Sequence, residues 1–426
     1  MTKPLRKKTA QTTKKKSSAY DLIVIGGGPA GLAFVASLKG LDLRIAVIEK
    51  SAASVLADPP VDGREIALTH TSIKIMDDLG MLGRIGQKNL SPIRQAKVLN
   101  GTSPYTLTFD SRAAKKDALG YLVPNNLIRK AAYEVVKGQK GLSLITGVEV
   151  SGVEAQETKS IVTLSDDQIL EAPLTVAADG RFSCSRRMMG IPVSMRDFGR
   201  TVIVCRMQHD KPHHQTAYEC FHYGRTLAIL PLAGTAQSRL REAQSSRAQQ
   251  NISSAVITLS SQDAPALLSM SEDDFNADIT ERFGDHLGAM QLVGKRHAYP
   301  LVATYADRFV AERFAIIGDA AVGMHPVTAH GYNFGLFGQD VLAKAIRVSL
   351  SLGLDIGSSV LLEKFSRRHR QATLPLYLGT NTLVSLFTDE REAMKLARSA
   401  VLRAGNLLLP FKKLVTRHLT STTFAA

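Results

Sequence analysis

The spacing of apolar and polar positions near the start of the chain predicts a strand, a helix and a second strand. Residues 21–25 form a short apolar run, residues 32–38 are apolar with helical spacing, and residues 44–49 form a second apolar run. A short apolar run bounded by turn residues is typical of a buried strand. The three segments therefore predict one βαβ unit of about thirty residues.

Farther along, the same patterns predict a mixture of strands and helices. Apolar runs predict strands at residues 95–99, 142–149, 161–164, 174–178, 201–205, 218–223, 226–230, 252–260 and 314–317. Helical spacing predicts helices at residues 66–79 and 271–283 and through most of the chain after residue 334. A Ser271-x-x-Asp274 capping pattern introduces the second of these helices. The polar stretch at residues 233–253 predicts an exposed loop or a hairpin extension.

The turn after the first strand carries a glycine fingerprint. Gly26, Gly28 and Gly31 fit G-x-G-x-x-G, Ala30 lies inside the pattern, and Glu49 ends the second strand. In such a unit the first glycine permits a tight turn, the second lets the backbone approach a pyrophosphate, and the third lets the helix pack on the strand. The helix N-terminus then faces the phosphates, and the acid accepts hydrogen bonds from a ribose. These residues predict a dinucleotide site, with a purely structural glycine turn as the alternative.

Two further glycine and aspartate pairs follow predicted strands. Asp179-Gly180 comes after the strand at residues 174–178, and Gly318-Asp319 comes after the strand at residues 314–317. A strand-terminal pair of this kind turns the backbone tightly and offers a carboxylate to a ribityl hydroxyl, while a following helix start faces a flavin ring and its pyrophosphate. For Asp179 taken alone, a strand-end turn is the simpler interpretation.

The charge of the chain is strongly basic but unevenly distributed. The 53 Lys and Arg residues exceed the 38 Asp and Glu residues, which gives a net charge of +15. Residues 1–19 contribute +7 and residues 391–426 contribute +6, so the part between them carries only +2. A nucleic-acid-binding domain concentrates its excess on the folded surface, so nucleic acid is not an expected partner. A solvated arm or an organelle-targeting peptide remains an alternative interpretation of the first tail.

Composition narrows the class of protein. Apolar residues make up 44% of the chain and charged residues 21%, a balance that allows a sizeable core. Cys184, Cys205 and Cys220 have neither metal-type spacing nor a disulfide framework, so we expect a reducing cytosol and no metal. No run reaches the roughly eighteen apolar residues of a membrane span, and the N-terminus lacks the apolar core of a secretory signal.

The three ordered motifs resemble those of the aromatic-hydroxylase type of flavoprotein monooxygenase. That family pairs an early G-x-G-x-x-G with a middle Asp-Gly and a late Gly-Asp. The resemblance implies an α/β fold in which a Rossmann-like FAD domain joins an α+β substrate domain with a mixed sheet and C-terminal helices. The implied organisation is a basic flexible tail at 1–19, an FAD domain at 20–190 and 301–350, a substrate domain at 191–300, and C-terminal helices at 351–426.

Other segments resemble the FAD-dependent hydroxylases of ubiquinone biosynthesis. Arg64, in the segment at residues 62–68, matches an arginine that lies near FAD and the entrance in that family, and Arg129 matches one on the flavin side. The segment at residues 324–335 resembles the bacterial branch that hydroxylates 5-demethoxyubiquinol at ring position 5. The cofactor residues implied near that segment are Gly318, Asp319, Pro326, Gly331, Tyr332 and Asn333.

The resemblance also implies the chemistry. A flavin C4a-hydroperoxide, formed from FAD, molecular oxygen and a reduced nicotinamide or other electron donor, delivers oxygen to an electron-rich ring. His325, Pro326 and His330 are expected beside the flavin, and the backbone amides at 326–331 are expected to hold its negative charge. For His330, a packed loop histidine is an alternative interpretation. The family pattern departs at Val322 and at Ala329.

The implied substrate is a polyprenylated phenol or quinol of the ubiquinone pathway. Basic and apolar residues alternate over residues 394–419, which suits an anionic membrane surface. We therefore expect a cytoplasmic protein that contacts the inner face of the cell membrane, or an assembly of ubiquinone-biosynthesis proteins. Three alternatives remain open: hydroxylation at another ring position, a flavin-dependent isoprenoid reductase, and a nucleotide-holding scaffold without turnover.

Overall fold

A mainly parallel sheet forms one core of the chain and contains strands from residues 22–177 and 310–316. A computed structural model describes residues 17–100, 106–222, 224–233, 251–324 and 331–388. Six strands form this sheet in the order β19, β20, β13, β2, β3, β9, and only the β19–β20 pair is antiparallel. Their bounds are β2 (Leu22–Ile25), β3 (Ile45–Glu49), β9 (Leu142–Thr146), β13 (Thr175–Ala177), β19 (Val310–Ala311) and β20 (Phe314–Ile316).

Helices cover the six-stranded sheet and account for its burial. The strands are apolar along almost their whole length, as parallel strands with helices on their faces must be. The helices of this core and of the C-terminal part are α1 (Pro29–Ser37), α2 (Ala53–Ala57), α3 (His70–Asp78), α4 (Met81–Ile85), α5 (Asn125–Val136), α6 (Cys184–Met188), α9 (Gly331–Ser351) and α10 (Ser359–Thr388). The predicted βαβ unit is confirmed by β2, α1 and β3.

Two small sheets flank this core. One contains β1 (Ser17–Ala19), β10 (Val150–Ala155), β11 (Ser160–Leu164) and β12 (Ile169–Ala172). The other contains β4 (Glu65–Leu68), β5 (Ser91–Ile93) and β8 (Gly120–Pro124), with β8 in the middle.

The helix predicted over residues 66–79 is wrong in its first part. Its opening residues belong to β4, where Ile66 pairs with Val123 of β8, and α3 begins only at His70. Thr69 separates the two elements because its side chain accepts a hydrogen bond from Ser72 N and so caps the helix. Pairing with a strand more than fifty residues away outweighed the local helical spacing.

A mixed eight-stranded sheet forms the second large layer. The order of its strands is β21, β18, β14, β17, β16, β15, β6, β7, and the β15–β6 pair is parallel. Their bounds are β6 (Gln95–Asn100), β7 (Leu107–Asp110), β14 (Val193–His209), β15 (Thr216–His222), β16 (Arg225–Pro231), β17 (Ile252–Ser260), β18 (Met290–Ala306) and β21 (Val322–Gly323). Fold class is therefore as expected from the sequence.

The two faces of the eight-stranded sheet have different partners. On the outer face, Ile203 and Cys205 of β14 pack against Phe275 of α8 (Glu272–Phe283), next to α7 (Ala264–Ser269). Alternate residues of a strand point to opposite faces, so Val202 and Val204 lie on the other, inner face. The predicted cap of α8 is confirmed, because Asp274 N donates to Ser271 Oγ at 3.1 Å.

The inner face is turned toward the three-stranded sheet and the segment that precedes β4. A Cβ placed on Gly63 would lie 2.6 Å from His297 Cδ2, and His297 is paired with Val204. Leu230 of β16 belongs to the same cluster as Leu122 of β8. The three-stranded sheet and the segment before it thus cover part of the inner face.

The C-terminal helices α9 and α10 pack against each other around a buried histidine. His369 of α10 touches Gly338 of α9 so closely that a Cβ there would lie 2.4 Å from His369 Cε1. Burial lowers the pKa of His369 to about 4, so the ring is neutral at physiological pH. Residues 234–250 and 389–426, which include most of the predicted exposed loop and the basic C-terminal segment, lie outside the described residues. The domain boundaries stay a prediction.

Candidate cofactor and substrate site

The predicted glycine turn lies at the carboxyl edge of the six-stranded sheet. Gly26 has a φ of +108°, and a Cβ on it would lie 2.5 Å from Ala178 O. A Cβ on Gly31 would lie 2.1 Å from Gly26 O, so α1 packs directly on the turn. Gly28 faces open space within 4 Å. The first and third glycines are thus required by the fold itself, and the second leaves room for a ligand.

Glu49 is held in place by the backbone of the same turn. Gly27 N donates to Glu49 Oε2 at 2.7 Å, and Ser51 N donates to Glu49 Oε1 at 2.8 Å. A carboxylate accepts about four hydrogen bonds, so both oxygens retain capacity for ribose hydroxyls. Gly27 was not among the residues predicted from the sequence. A Cβ on it would lie 3.0 Å from Glu49 Cβ, so a larger residue there would push the Glu49 side chain aside by a few tenths of an ångström.

Asp179 follows β13 at the neighbouring strand end. Its Oδ2 accepts hydrogen bonds from Ser185 N and Ser185 Oγ at 3.1 and 2.8 Å, at the start of α6. Its Oδ1 is buried and has no hydrogen-bond partner among the described residues. Gly180 has a φ of +89°, which makes the turn after Asp179 a glycine position.

Two arginines connect this turn to the late Gly-Asp segment. Arg186 is 1% exposed and donates to Ala320 O at 2.7 Å and to Arg181 O at 3.3 Å. Burial lowers the pKa of Arg186, and the charge of Asp179 opposes this effect. Arg181 donates to Asp319 Oδ2 at 3.2 Å and also to the carbonyl of Val302 in β18. Sequence patterns alone did not assign a role to either arginine.

The late Gly-Asp segment packs between two helices. A Cβ on Gly318, whose φ is +61°, would lie 3.0 Å from Ala30 Cβ of α1, and a Cβ on Gly335 of α9 would lie 3.4 Å from Gly318 Cα. Ala30 therefore packs against the Gly-Asp turn in the structure. Asp319 is 39% exposed at its side chain, so its carboxylate remains accessible beside Arg181.

The start of α9 is fixed to β4 through Asn333. Asn333 Oδ1 accepts a hydrogen bond from Thr69 N at 3.0 Å, and Asn333 Nδ2 donates to Ala67 O at 2.9 Å. Tyr332 beside it has a buried hydroxyl with no partner in the described ranges, and burial raises its pKa. Gly331 is the first residue of α9.

Arg64 lies where the segment before β4 meets β18 of the eight-stranded sheet. Its guanidinium pairs with Asp62 at 2.6 Å and stands 5.2 Å from the centre of the Tyr299 ring of β18. Asp62 also accepts a hydrogen bond from Asn125 Nδ2 at 2.7 Å, and these donors lower its pKa against the opposing effect of its burial, which is the largest single influence. Tyr299 OH donates to Asp62 O at 2.6 Å.

The remaining predicted site residues are less constrained. The Arg129 side chain lies half-buried on α5 and makes no hydrogen bond or ion pair with the described part of the chain. His325, Pro326 and His330 lie outside the described residues, so the structure says nothing of their positions.

The residues at the carboxyl edge fit a dinucleotide. Strands β2, β3, β13 and β20 are parallel, so the segments that follow them meet at one edge. The N-terminus of α1 has no side-chain cap and no acidic residue in its first turn, so its amides are available to phosphate. Open space at Gly28 and the partnerless oxygen of Asp179 leave polar positions for a ligand to fill. The chain provides amides for a pyrophosphate and carboxylates for hydroxyl groups.

Comparison with known proteins agrees with this geometry. A family model described as FAD binding domain matches residues 19–372. Ubiquinone hydroxylase UbiM of Neisseria meningitidis is 46% identical over 94% of this chain and 84% of its own length, and ubiquinone hydroxylase UbiL of Rhodospirillum rubrum is 32% identical over 97% and 92%. The crystal structure of p-nitrophenol 4-monooxygenase PnpA from Pseudomonas putida has a TM-score of 0.72 at 17% identity and covers 94% of this chain and 97% of its own.

These matches define the class of protein as an FAD-dependent monooxygenase that hydroxylates aromatic rings. The chain belongs to the FAD-binding-domain family, within the group of the ubiquinone-biosynthesis hydroxylases. Its cofactor is FAD, and its reaction requires molecular oxygen and a reduced electron donor. No helix in the described ranges is long and apolar enough to cross a membrane.

Proposed function

We propose that the chain hydroxylates the aromatic ring of a polyprenylated ubiquinone precursor, with 5-demethoxyubiquinol as the preferred substrate. The observation that carries this proposal is the 46% identity to a ubiquinone hydroxylase, in a chain whose eight-stranded sheet has an apolar cluster on its inner face. The ring position is assigned by the resemblance of residues 324–335 to the bacterial 5-demethoxyubiquinol branch, and hydroxylation at another position of the same pathway is its nearest competitor.

In this proposal the chain's residues bind and orient the cofactor, which supplies the activation of molecular oxygen when bound. The amides at the start of α1 face the pyrophosphate, and Glu49, held by two backbone donors, accepts from a ribose. Asp179, whose Oδ1 has no partner within the described ranges, and Asp319, which accepts a hydrogen bond from Arg181, offer carboxylate oxygens to polar groups of the cofactor. The amides of residues 326–331 are assigned to the negative charge of the flavin by resemblance.

The inner face of the eight-stranded sheet suits an uncharged ring. Val202, Val204, Val256 and Ala228 give it an apolar floor, and paired positions in neighbouring strands bring these side chains to the same face. An apolar floor excludes water and holds a prenylated ring by burial of its surface. Arg64 lies at the edge of this floor, above Tyr299, where we assign it to the entrance.

Mass spectrometry of quinone intermediates tests the proposal most directly. Deletion of the gene should cause a precursor lacking one ring oxygen to accumulate, and its structure identifies the ring position. In the purified protein, oxygen-dependent addition of one oxygen atom to the quinol should accompany a bound FAD spectrum. A product that gains hydrogen without oxygen would instead indicate the isoprenoid reductase, and unchanged intermediates would contradict the proposal.

Contact with an anionic membrane is a second part of the proposal, because a polyprenylated substrate resides in lipid. The turn between α9 and α10 and the adjoining helix ends contain four large apolar residues that are exposed: Val348, Leu352, Leu354 and Val360. Val360 alone is 78% exposed, and the two basic ends complement negative headgroups. The ubiquinone-biosynthesis assembly remains the competing partner for the same surface.

Flotation with phosphatidylglycerol vesicles tests this contact. We expect the full chain to float with the vesicles and a Leu352→Glu, Val360→Glu variant to float several-fold less. Removal of residues 1–19 and 394–426 should make binding insensitive to added salt, because the charged component is screened. Equal flotation of all three proteins would contradict membrane contact.

A further inference from the structure

Glu219 is the only acidic residue in β15, and it points toward the inner face of the eight-stranded sheet. Tyr218 and Cys220, its neighbours in sequence, belong to the outer-face cluster with Phe283 of α8. Because side chains alternate along a strand, Glu219 must point the opposite way. The strand register agrees, since Glu219 pairs with Ala228 of β16.

The row of residues that contains Glu219 leads across the floor of the proposed substrate site. Through successive pairs it joins Glu219, Ala228, Val256, Val204 and His297. At about 4.8 Å between strands, Glu219 lies roughly 19 Å from His297, which Gly63 covers. The positions between them are apolar and uncharged, so Glu219 marks the far edge of this floor.

The surroundings of the Glu219 carboxyl group offer it no counter-charge. Val98 of β6 pairs with Glu219 on one side, and Phe221 and Leu107 form an apolar cluster with Val98. Lys97 lies on the outer face, 5.7 Å from the centre of the Tyr218 ring. The Glu219 carboxyl group forms no hydrogen bond or ion pair within the described ranges, and burial raises its pKa to about 8.

Two arginines of the same sheet, one in the adjacent β16 and one in the more distant β14, are already paired elsewhere. Arg225 of β16 pairs with Asp278 of α8 on the outer face, and Arg206 of β14 pairs with Glu65 of β4. The Glu219 side chain is half-buried, and a carboxyl group at such a position loses hydration that no group of the described chain replaces. A polar ligand atom at this position would supply the missing hydrogen bond.

We propose that Glu219 is a specificity-determining residue that hydrogen-bonds a ring oxygen of the aromatic substrate. This assignment rests on the proposed function and adds a contact that the family motifs do not contain. The apolar side chains of the inner face contact the faces of the substrate ring and its prenyl tail. Such contacts do not distinguish one pattern of ring oxygens from another. A single polar group at the edge of that floor makes the distinction, because an unmatched ring leaves it without a partner.

The test compares two probes with the flavin-loaded enzyme. One is a methoxyphenol with a single isoprene tail, and the other is the same ring with the hydroxyl replaced by hydrogen. Binding is read from the change in the absorbance of bound FAD. We expect the wild-type protein to bind the hydroxylated probe at least tenfold more tightly, Glu219→Leu to lose this discrimination, and Glu219→Gln to keep most of it because an amide both donates and accepts.

Glu154→Gln is the matched control, because Glu154 is an exposed glutamate of β10 and its substitution removes one carboxylate far from the inner face. Discrimination is a ratio within one protein, so a general loss of stability does not imitate the expected effect. Unchanged discrimination in Glu219→Leu would overturn the assignment while leaving the proposed function intact. A wild-type protein that responds to neither probe would contradict the proposed function, and the Glu219 assignment with it.

Discussion

The cofactor edge of the six-stranded sheet and the inner face of the eight-stranded sheet are built in different ways. At the cofactor edge, close backbone approaches and main-chain hydrogen bonds set the geometry, as in the contact of Gly31 with Gly26 O and the donation from Gly27 N to Glu49. On the inner face, side chains set the chemistry, and some of them, such as Glu219 and Ser254, have no partner in the described structure.

The difference indicates what each region is selected to hold. The cofactor is the same for every reaction of the class, so its site can be fixed in the backbone. The substrate varies, and a face of exchangeable side chains can be adapted without disturbing the fold. Unpartnered polar groups on that face reduce stability, as is common at sites shaped for a ligand.

The largest effect is expected from Gly31→Ala. The new Cβ would lie 2.1 Å from Gly26 O, and only a shift of α1 away from the turn can relieve this clash. We expect a loss of about 3 kcal/mol in the free energy of unfolding and no bound FAD. Gly28→Ala is the control, because its Cβ meets open space: its apoprotein should unfold like the wild type but bind FAD more weakly. If the two variants were equally stable, close backbone packing would not set the geometry of the cofactor edge. The contrast between this edge and the inner face would then be wrong.

Arg186→Met tests whether side chains also matter at the cofactor edge. The substitution leaves the carbonyls of Ala320 and Arg181 without their donor and Asp179 without a nearby positive charge. We expect a loss of about 3 kcal/mol in unfolding experiments with denaturant, together with reduced FAD content. Arg187→Met, one residue along α6 and exposed, should change stability by less than about 0.5 kcal/mol. If both variants lost a similar amount of stability, the cause would be a general weakening of α6 and not the loss of the hydrogen bonds of Arg186.

Glu65 gives the inner face a predicted dependence on pH. Its side chain is 1% exposed beside Arg206, and burial raises its pKa from 4.5 to about 7 despite that partner. The neutral form is therefore favoured in the fold, and its stabilising contribution is complete below pH 4.5 and lost as the pH rises through 7. Between pH 4.5 and 8 the wild type should lose up to about 3 kcal/mol relative to Glu65→Gln. Parallel stability curves for the two proteins would contradict this.

The smallest effect concerns two adjacent serines of β17. Ser254, fully buried on the inner face, has a hydroxyl without a partner in the described chain, whereas the Ser253 hydroxyl lies 3.0 Å from His209 Nε2. Ser254→Ala should therefore raise the free energy of unfolding by up to about 1 kcal/mol, and Ser253→Ala should lower it by a similar amount. Thermal unfolding of the two variants checks the sign, and a loss in both would indicate that Ser254 is satisfied.

Most of the fold could be predicted where the signal was local. The βαβ unit, the strand at 252–260 and the cap at Ser271 each depend on residues close together in sequence, and the structure confirms them. The segment at residues 66–79 was misinterpreted because Ile66 pairs with Val123 of a strand that local spacing did not reveal. Strand pairing at long range is the part that one sequence leaves undetermined.

The candidate site divides in the same way. The glycines and strand-end acids could be identified from motifs, since their geometry follows from the turn that contains them. Gly27 was missed because it occupies a variable position of the motif, and its close approach to Glu49 appears only in the structure. Arg186 was missed because its partner Ala320 lies 134 residues away. Glu219 could not be identified from the sequence because its orientation depends on the register of β15. Register decides whether a residue faces the helix layer or the proposed position of the ring.

The alternation along β15 has a consequence for how such enzymes diverge. Tyr218 and Cys220 contribute to the packing against α8, while Glu219 between them does not touch that layer. Residues of β15 that face the inner side can therefore change, and with them the aromatic ring that is bound. The residues between them keep the packing against α8. A lineage can in this way acquire new substrates through single-residue steps, each starting from a folded, flavin-loaded ancestor.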